Sequence, residues 1–239
     1  MSGHSHASTI KHDKEVTDAK RGTAFSKVGR LITVAVKENG GLSDPTKNAK
    51  LKVALEKAKE VNMPKDNIQR AIERGSGKAD GAILESITYE GFGPGGTAML
   101  LECITDNKFR TGAEIKNLFS SAGGNLAEPG AASHFFERKG LIKLLKEGGA
   151  EDQMLKLIDL GAEDIEEREE GFFSVFVPVE QLENFKNRLV AAQFKIQSAE
   201  MVLKPKSKLS ASPEDSEKIK KFQQKLLDHD DVLKVFINL

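Results

Sequence analysis

The chain has 239 residues, of which 38% are hydrophobic and 30% charged, and its formal charge at pH 7 is zero. This composition is typical of a soluble globular protein and excludes a disordered chain. The absence of an apolar run approaching ~20 residues excludes a membrane-spanning helix. Cys103 is the only cysteine, which leaves no internal disulfide and no cysteine-based zinc site, so we expect a buried thiol in a cytoplasmic protein.

The zero net charge conceals a strong asymmetry along the chain. Residues 1–78 contain 16 basic and 9 acidic residues and carry a net charge of +7, whereas residues 79–239 carry −7. A basic segment of this kind is typical of proteins that contact nucleic-acid phosphates.

The basic segment is predicted to be helical after a polar start. Residues 1–22 are rich in Lys and His with too little apolar periodicity to predict a core helix, and we interpret them as a mobile basic arm able to order on binding. Apolar residues then recur at i, i+3 and i+4 spacing, and glycines or a proline mark the ends of each run. Residues 23–78 are therefore predicted to form a helical nucleic-acid-binding domain, with helices near 23–39, 47–61 and 64–75.

The rest of the chain has the pattern of an α+β protein. Two strands around a turn at residues 91–96 predict a hairpin, followed by a helix at 109–122 and a strand at 132–137. Residues 140–204 show the order strand, helix, strand, strand, helix, strand, which is the order of the ferredoxin-like plait.

The C-terminal segment decides how these parts connect. Ser212, Pro213 and Asp215 supply a capping box and a first-turn proline for a last helix, and a strand follows at 232–237. Since neither has a partner nearby in sequence, we expect both to return to the first sheet. The predicted fold is an N-terminal three-helix domain and two ferredoxin-like α+β domains, one inserted in the other, formed by residues 82–137 plus 205–239 and by residues 138–204.

Residues 91–96 match the Gly-x-Gly-x-x-Gly fingerprint of dinucleotide-binding loops. Such a loop must open a helix whose free N–H groups cradle a pyrophosphate. Here Thr97 begins a strand-like run and Pro94 removes an amide, so we interpret the motif as a hairpin turn and predict no cofactor. A nucleotide-dependent enzyme is the alternative.

Two further polar groups are candidates for chemistry. His4, His6 and His12 cluster in the arm, but no cysteine or carboxylate stands at metal-site spacing, so polar or cationic contacts are favoured and no metal is predicted. Residues 105–111 resemble a polar site between a strand and a helix. A helix N-cap at Asp106 or Asn107 explains these polar residues without a catalytic role. We predict no catalytic residue.

The basic side chains give the stronger signal, because they lie away from the apolar faces of the predicted helices. Each phosphate contact releases counterions, so affinity should fall steeply with salt. A solvated helix face is the alternative. Phe25, the only aromatic in this domain, is expected on the core face, which favours duplex DNA or structured RNA over a stacked single strand. The candidates are Lys27, Arg30 and Lys37 on the first helix, Lys65, Asn67, Arg70 and Arg74 on the third, and Lys11, Lys14, Lys20 and Arg21 in the arm.

Several longer motifs resemble those of the YebC/PmpR family, whose mitochondrial relatives include a translational activator of cytochrome c oxidase subunit I. The motifs are Gly3-His-Ser5, Ile10-Lys-His12, Asp18-Ala-Lys-Arg-Gly22, Asn62-Met-Pro-Lys-Asp-Asn-Ile68, Tyr89-Glu-Gly-Phe-Gly-Pro-Gly-Gly96 and Thr105-Asp-Asn107. The resemblance covers essentially the whole chain. It implies a cytoplasmic three-domain protein, and nucleic-acid contacts at Lys11, His12, Lys20, Arg21, Lys65, Asn67, Arg70 and Arg74.

The resemblance implies two functions. Bacterial members are described as DNA-binding transcriptional regulators, and the family is also linked to translation, including relief of ribosomes stalled at proline-rich stretches. We predict a non-enzymatic nucleic-acid-binding regulator acting on DNA, with a ribosome-associated translation factor as the alternative. The arm departs from the family pattern at His6, Ala7 and Asp13, where Lys, Trp and Arg are common, and this weakens its charge and removes a stacking aromatic.

The acidic part of the chain contains one dense cluster between two predicted strands. A solvated hairpin tip explains it most simply. The functional interpretation is a surface that repels phosphate and is free to bind a basic protein partner. Its members are Glu163, Asp164, Glu166, Glu167, Glu169 and Glu170.

Overall fold

The computed structural model describes residues 5–79, 83–147, 149–168 and 171–239, with side chains from Arg21 onward except that of Arg168. The chain divides into two compact units. Unit 1 comprises Met1–Ala131 and Ala211–Val235, and unit 2 comprises Ala132–Ser210 and Phe236–Leu239.

The chain begins with three helices, and the strands follow with the remaining helices among them. The helices are α1 (Ser5–Lys37), α2 (Ala49–Glu60), α3 (Lys65–Gly75), α4 (Lys108–Ser121), α5 (Ala150–Asp159), α6 (Leu182–Ala191) and α7 (Pro213–Leu227). The strands are β1 (Glu85–Phe92), β2 (Ala98–Thr105), β3 (Asn125–Ala127), β4 (Phe136–Leu145), β5 (Asp164–Arg168), β6 (Phe172–Val177), β7 (Ile196–Pro205) and β8 (Val232–Ile237). Among the described residues, no helix is both long and apolar enough to cross a membrane.

The first three helices of unit 1 share one apolar core. Ile32 and Val36 of α1 pack with Leu51 of α2 and Ala71 of α3, and all four side chains are fully buried. The backbone of α1 begins at Ser5, well before the residue 23 that apolar spacing predicts, so the predicted arm boundary falls inside a helix. The polar sequence of residues 5–22 carries no core-facing stripe from which this extension could be predicted.

The first sheet has the strand order β3-β1-β2-β8. The hairpin of β1 and β2 therefore occupies the two central positions, and the C-terminal strand β8 completes one edge, as the sequence predicts. Helices α4 and α7 are joined by the rings of Phe119 and Phe222, which meet edge to face with centroids 5.1 Å apart. Ser212 caps α7 by accepting from the Asp215 backbone at 3.1 Å, which confirms the predicted cap.

Unit 2 contains the second sheet, with the order β5-β6-β4-β7 and antiparallel pairing throughout. Together with α5 and α6 this is the strand order of the ferredoxin-like plait. Its core is fully buried and includes Ile142, Phe173, Val175 and Phe185. The predicted α+β class with an inserted plait is confirmed, although the first sheet, with its central hairpin, has a different strand order from the plait.

Two strands differ from the sequence prediction. The end of the predicted strand at residues 132–137 and the predicted strand at 141–145 belong to one continuous strand, β4, which begins only at Phe136 after a short 3-10 turn, and the predicted domain boundary at 137/138 lies within it. Gly140 does not interrupt β4. A Cβ there would lie 2.8 Å from Leu182 Cδ1, so glycine allows α6 to approach the sheet. The third strand of the first sheet is instead β3, whose three residues are too few for a periodicity to show.

Candidate nucleic-acid interface

The candidate interface is built on the contact between α1 and α3. A Cβ at Gly75 would lie 2.5 Å from the Thr33 carbonyl oxygen and 2.7 Å from Val36 Cβ, so only glycine permits this approach. The buried Thr33 hydroxyl donates to the carbonyl oxygens of Gly29 and Ala71, each at 3.0 Å. These contacts fix which face α3 presents beside α1.

A groove of about 560 Å³ lies along this helix pair. One stripe of α1 and one stripe of the segment leading into and along α3 form its sides. Leu84, just before β1, and Asp106, just after β2, also contribute. The α1 stripe is Gly22, Phe25, Ser26, Gly29, Arg30 and Thr33, and the opposite stripe is Met63, Asn67, Arg70 and Arg74.

The predicted cations of α3 lie together on the rim of this groove. Arg70 and Arg74 are exposed, and Asn67 is half-buried beside them. Their recorded hydrogen bonds stay within the helix: Arg70 Nη2 donates to Asn67 Oδ1, and Arg74 Nε donates to the Arg70 carbonyl oxygen at 3.3 Å. Within the described part of the chain, neither arginine forms an ion pair with a carboxylate. Both guanidinium groups can therefore meet an external anion.

The predicted cations of α1 are used differently, since each contacts a distant part of unit 1. Lys27 Nζ donates to the Leu227 carbonyl oxygen, Arg30 pairs with Asp231, and Lys37 Nζ donates to the Leu84 carbonyl oxygen at 2.9 Å. Burial lowers the pKa of Lys27, although Asp230 and Asp228 oppose the shift. The helical projection places these residues away from the bundle core, where they reach acceptors elsewhere in unit 1 although Lys37 remains exposed.

The remaining predicted residues divide into exposed and undescribed positions. Arg21 at the end of the arm and Lys65 at the start of α3 are exposed. Lys11, His12, Lys14 and Lys20 lie outside the residues whose side chains are described, as does the histidine cluster of the arm.

Asp231 is the residue that sequence reasoning missed. Its side chain is only 3% exposed, and it accepts from Arg30, from Arg110 Nη2 at 2.7 Å and from Thr111 Oγ1 at 2.6 Å. Burial pushes the pKa of Asp231 upward, but the hydrogen bonds from Thr111, Arg110 and Arg30 outweigh it and lower the pKa to about 2. Asp231 is thus anionic at neutral pH and joins α1, α4 and the start of β8.

The polar corner at residues 105–111 is explained by this network. Asn107 caps α4 by accepting from the backbone of Phe109 and Arg110, each at 3.1 Å. The Thr105 and Thr111 hydroxyl groups are 2.8 Å apart, and Thr111 donates its single proton to Asp231. The corner therefore has a structural role, which agrees with the predicted N-cap.

One group of side chains near this corner could be considered for a metal ion. Glu114, His229 and Asp231 each offer a ligand atom within 4.8 Å of the others. Both Asp231 oxygens, however, already accept hydrogen bonds, and the two guanidinium groups beside them would repel a cation. The donor set does not fit a metal site.

The glycine motif at residues 91–96 lies in the hairpin between β1 and β2. Gly93 donates to the Thr97 carbonyl oxygen at 2.8 Å, and the strand β2 follows where a nucleotide-binding loop would need a helix. Cys103 of β2 is buried, and burial together with the nearby Asp231 raises the pKa of its thiol to about 12. Neither feature has the geometry of a catalytic site.

The acidic cluster of unit 2 lies mainly on β5 and is paired with lysines. The pairs are Lys139 with Glu163, Lys204 with Asp164, Lys208 with Glu166, and Lys146 with Glu167. The hydrogen bond from Lys204 lowers the pKa of Asp164 against the opposing effect of burial. Glu169 and Glu170 lie outside the described residues. The described members thus form a neutralised surface rather than the unpaired acidic one predicted for a basic partner.

Comparison with known proteins covers nearly the whole chain. The TACO1/YebC protein N-terminal domain matches residues 5–78, and the TACO1/YebC second and third domain matches residues 84–239. The chain is 44% identical over 240 residues to a probable transcriptional regulatory protein of Brachyspira hyodysenteriae, covering 100% of this chain and 96% of the relative. It is also 44% identical over 241 residues to one from Caldanaerobacter subterraneus subsp. tengcongensis, covering 100% of this chain and 98% of the relative.

A solved structure has the same fold. The crystal structure of a conserved hypothetical protein from Aquifex aeolicus superposes with a TM-score of 0.81 at 38% sequence identity. The match covers 92% of this chain and 90% of the other.

Proposed function

The chain belongs to the TACO1/YebC family, and on that premise we propose that it is a non-enzymatic, nucleic-acid-binding regulator of gene expression. Relatives at 42–44% identity bear the name probable transcriptional regulatory protein, which makes duplex DNA the first candidate target. The protein would act in the cytoplasm through α3.

The observation that supports this proposal is the pair of exposed arginines on α3. Arg70 and Arg74 stand one helical turn apart on the same face, and within the described residues no carboxylate neutralises them. A guanidinium group binds phosphate through two parallel hydrogen bonds, and each such contact displaces condensed counterions. Lys65 and Arg21, both exposed, extend the same positive region.

The contacts of α1 reduce the number of predicted residues that we assign to phosphate binding. Lys27 and Arg30 already contact a carbonyl oxygen and a buried carboxylate, and using them for phosphate would cost those contacts. We therefore place the phosphate contacts on Arg21, Lys65, Asn67, Arg70 and Arg74, together with the arm residues Lys11, His12, Lys14 and Lys20. Lys27, Arg30 and Lys37 are assigned to holding the helical part against the sheet.

The test is a double variant, Arg70→Ala/Arg74→Ala, in the full-length protein. Fluorescence anisotropy with labelled duplex DNA and with a hairpin RNA, over a salt series, should show weaker binding to every sequence. The slope of log affinity against log salt should fall by about one unit for each lost contact. Unfolding free energy should change by no more than ~0.5 kcal/mol, because both side chains are exposed.

A matched control removes two exposed cations from α2, Lys52→Ala/Lys59→Ala, which do not line the groove. Its salt slope should equal that of the unmodified protein. Equal losses in both variants would mean that net charge alone governs binding, and the assignment to α3 would then be wrong. If the unmodified protein binds neither probe, the proposed function itself is overturned.

A ribosome-associated translation factor is the second candidate. The family's mitochondrial relatives, which include a translational activator of cytochrome c oxidase subunit I, support it. The same cations would then contact ribosomal RNA, since phosphate contacts carry no sequence information. Cosedimentation with ribosomes distinguishes the two. Loss of the protein from the ribosomal pellet in Arg70→Ala/Arg74→Ala, together with weak and uniform DNA binding by the unmodified protein, would favour translation over transcription.

A further inference from the structure

We propose that the groove between α1 and α3 binds an unpaired nucleotide of a nucleic-acid strand, with the base stacked on Phe25 and the phosphate at Arg70 and Arg74. This inference rests on the proposed function, because it specifies the form of nucleic acid that the same face takes. It departs from the sequence prediction of a partner bound through its duplex backbone alone.

The first observation is the position of Phe25. The bundle core consists of other side chains, chiefly Ile32, Val36 and Leu51. Phe25 is instead half-buried on the side of the groove, across from Met63. Phe25 is thus an aromatic side chain that reaches a solvent-open recess, whereas apolar spacing predicts it in the core.

The second observation is how the groove divides chemically. Phe25 and Met63 give it an apolar part, and Arg70 and Arg74 give it a cationic rim on the α3 side. A nucleotide has the same two parts, a flat ring and an anion. Aromatic rings stack on bases, and arginine both stacks on bases and pairs with phosphate, which is how proteins bind bases held outside a helix.

The third observation is size. A volume of about 560 Å³ lies within the range of ~300–1,000 Å³ that is usual for pockets binding small molecules. The groove can therefore enclose a single nucleotide but is far too narrow for a duplex. A perfect duplex lying on α3 would contact the rim through its phosphates and leave the Phe25 part empty, since its bases are stacked inside. An unpaired base fills both parts.

Other polar residues of the groove already form contacts within the protein, so they have few hydrogen-bonding groups left for a ligand. The Thr33 hydroxyl donates to two backbone carbonyl groups, and Arg30 pairs with Asp231. Recognition would depend on stacking and on phosphate contacts rather than on hydrogen bonds to base edges. We therefore expect little discrimination among the four bases.

The test compares three labelled probes of equal length with the full-length protein: a single strand, a perfect duplex, and a duplex with one bulged nucleotide, each made as DNA and as RNA. The single strand and the bulged duplex should bind more tightly than the perfect duplex. Phe25→Leu should weaken binding to those two probes by about 5- to 100-fold, the usual effect of losing one stacked base. Binding to the perfect duplex should change by less than about twofold, the low end of ordinary surface effects.

Two further measurements distinguish a loss of base stacking from a loss of charge or a folding defect. The salt slope should stay the same in Phe25→Leu, because no phosphate contact is lost. Phe25→Trp, which keeps an aromatic face, should restore tight binding. Phe109→Leu is the matched control, since Phe109 is an 80% exposed aromatic on α4 that does not line the groove, and it should bind like the unmodified protein.

A second measurement does not depend on any variant. A 4-thiouridine placed at the bulge should photocross-link to Phe25 or Met63, and 2-aminopurine at the same place should lose fluorescence as it stacks. Cross-links only at other residues, or equal binding of all probes with no effect of Phe25→Leu, would overturn the groove assignment and leave phosphate binding by α3 intact. Failure of the unmodified protein to bind any probe would overturn the proposed function as well. Comparing the DNA probes with the RNA probes shows whether the bound nucleotide comes from DNA or from RNA.

Discussion

Asp231 determines which of the basic residues are available to a ligand. It is buried, and it pairs with Arg30 and Arg110, so both guanidinium groups already have an anionic partner within the protein. Arg70 and Arg74, by contrast, have no such carboxylate among the described residues. The residue lies in the unremarkable sequence His229-Asp230-Asp231, where no motif or periodicity distinguishes it from an ordinary exposed acid. Only the return of β8 to the first sheet brings it to α1 and α4.

The Asp231 carboxylate should make stability depend on acid. Its pKa is lowered from 3.8 to about 2 in the folded protein. A lowered carboxyl pKa adds stability that is fully present above the unfolded value of 3.8 and is lost as the pH falls through about 2. From the size of the shift, Asp231→Asn should lower the unfolding free energy by roughly 2 kcal/mol at neutral pH. Urea unfolding from pH 7 to pH 2 should show the difference between the two proteins shrinking in the acid range.

The neighbouring residue provides the control for this prediction. Asp230 is exposed and contacts Arg30 only through its backbone carbonyl group. The Asp230 carboxylate acts only through its charge on Lys27, so Asp230→Asn should change the unfolding free energy by no more than ~0.5 kcal/mol across this pH range. A gap between Asp231→Asn and the unmodified protein that stays constant down to pH 2 would mean that packing, and not the charge of Asp231, makes the contribution.

At the scale of helices and strands, the contact of α1 with α3 sets the geometry of the interface. Gly75 ends α3 directly against the Thr33 backbone, and the same α1 stripe continues into the groove. Displacing α3 at this point would move Arg70 and Arg74 away from Phe25. The fold of the bundle and its binding face are therefore controlled by the same contact.

Gly75→Ala should disturb both the fold of the helical bundle and its binding face. The added Cβ would lie 2.5 Å from a backbone oxygen that cannot move aside cheaply, so we expect a loss of about 1–3 kcal/mol in unfolding free energy. Gly22→Ala is the control, because a Cβ there meets nothing within 4 Å and alanine favours a helix by up to ~1 kcal/mol. Urea unfolding measures both. Equal stability of Gly75→Ala and the unmodified protein would show that α1 and α3 adjust freely.

The sequence predicts most elements but not the ones that depend on distant contacts. Apolar spacing and caps locate α2, α3, α4 and α7 to within a few residues, because those signals are local. The division of β4 into two predicted strands is wrong, because the chain continues as a strand through Gly140, which accommodates Leu182. The groove was not predictable, because the helical projection gives the direction of Phe25 but not whether a neighbouring helix covers it.

At the scale of the whole molecule, the net charge of +7 on residues 1–78 overstates the surface that a nucleic acid meets. Lys27, Arg30 and Lys37 contribute to that charge, but they are bound to Leu227, Asp231 and Leu84. The helical core of α1, α2 and α3, in contrast, is formed by residues within the same stretch. Cutting the chain after residue 78 would keep the core and release three cations.

The isolated fragment 1–78 should consequently bind duplex DNA with a steeper salt dependence than the full-length protein. The slope of log affinity against log salt should be larger by up to about three units, close to one for each released cation. Circular dichroism first establishes that the fragment is helical, and anisotropy over a salt series gives the slope.

A variant of the fragment shows whether these cations are the cause. Lys27→Gln/Arg30→Gln/Lys37→Gln in residues 1–78 should return the slope to that of the full-length protein. Equal slopes for the unmodified fragment and the full-length chain would indicate that the α1 side chains do not reach phosphate even when they are released.

The position of β8 in the first sheet has a consequence for the order in which a ribosome makes this protein. Strands β1, β2 and β3 are complete by Ala127, yet the strand that completes their sheet and the carboxylate that holds Arg30 are translated only after residues 132–210 of unit 2. Throughout that interval the edge of β2 lacks its partner, and an unpaired edge invites association with other chains. The synthesis of residues 211–237 therefore converts a sheet with an unpaired edge into a completed one. Rare codons or pauses placed before α7 should lengthen this exposure more than pauses elsewhere.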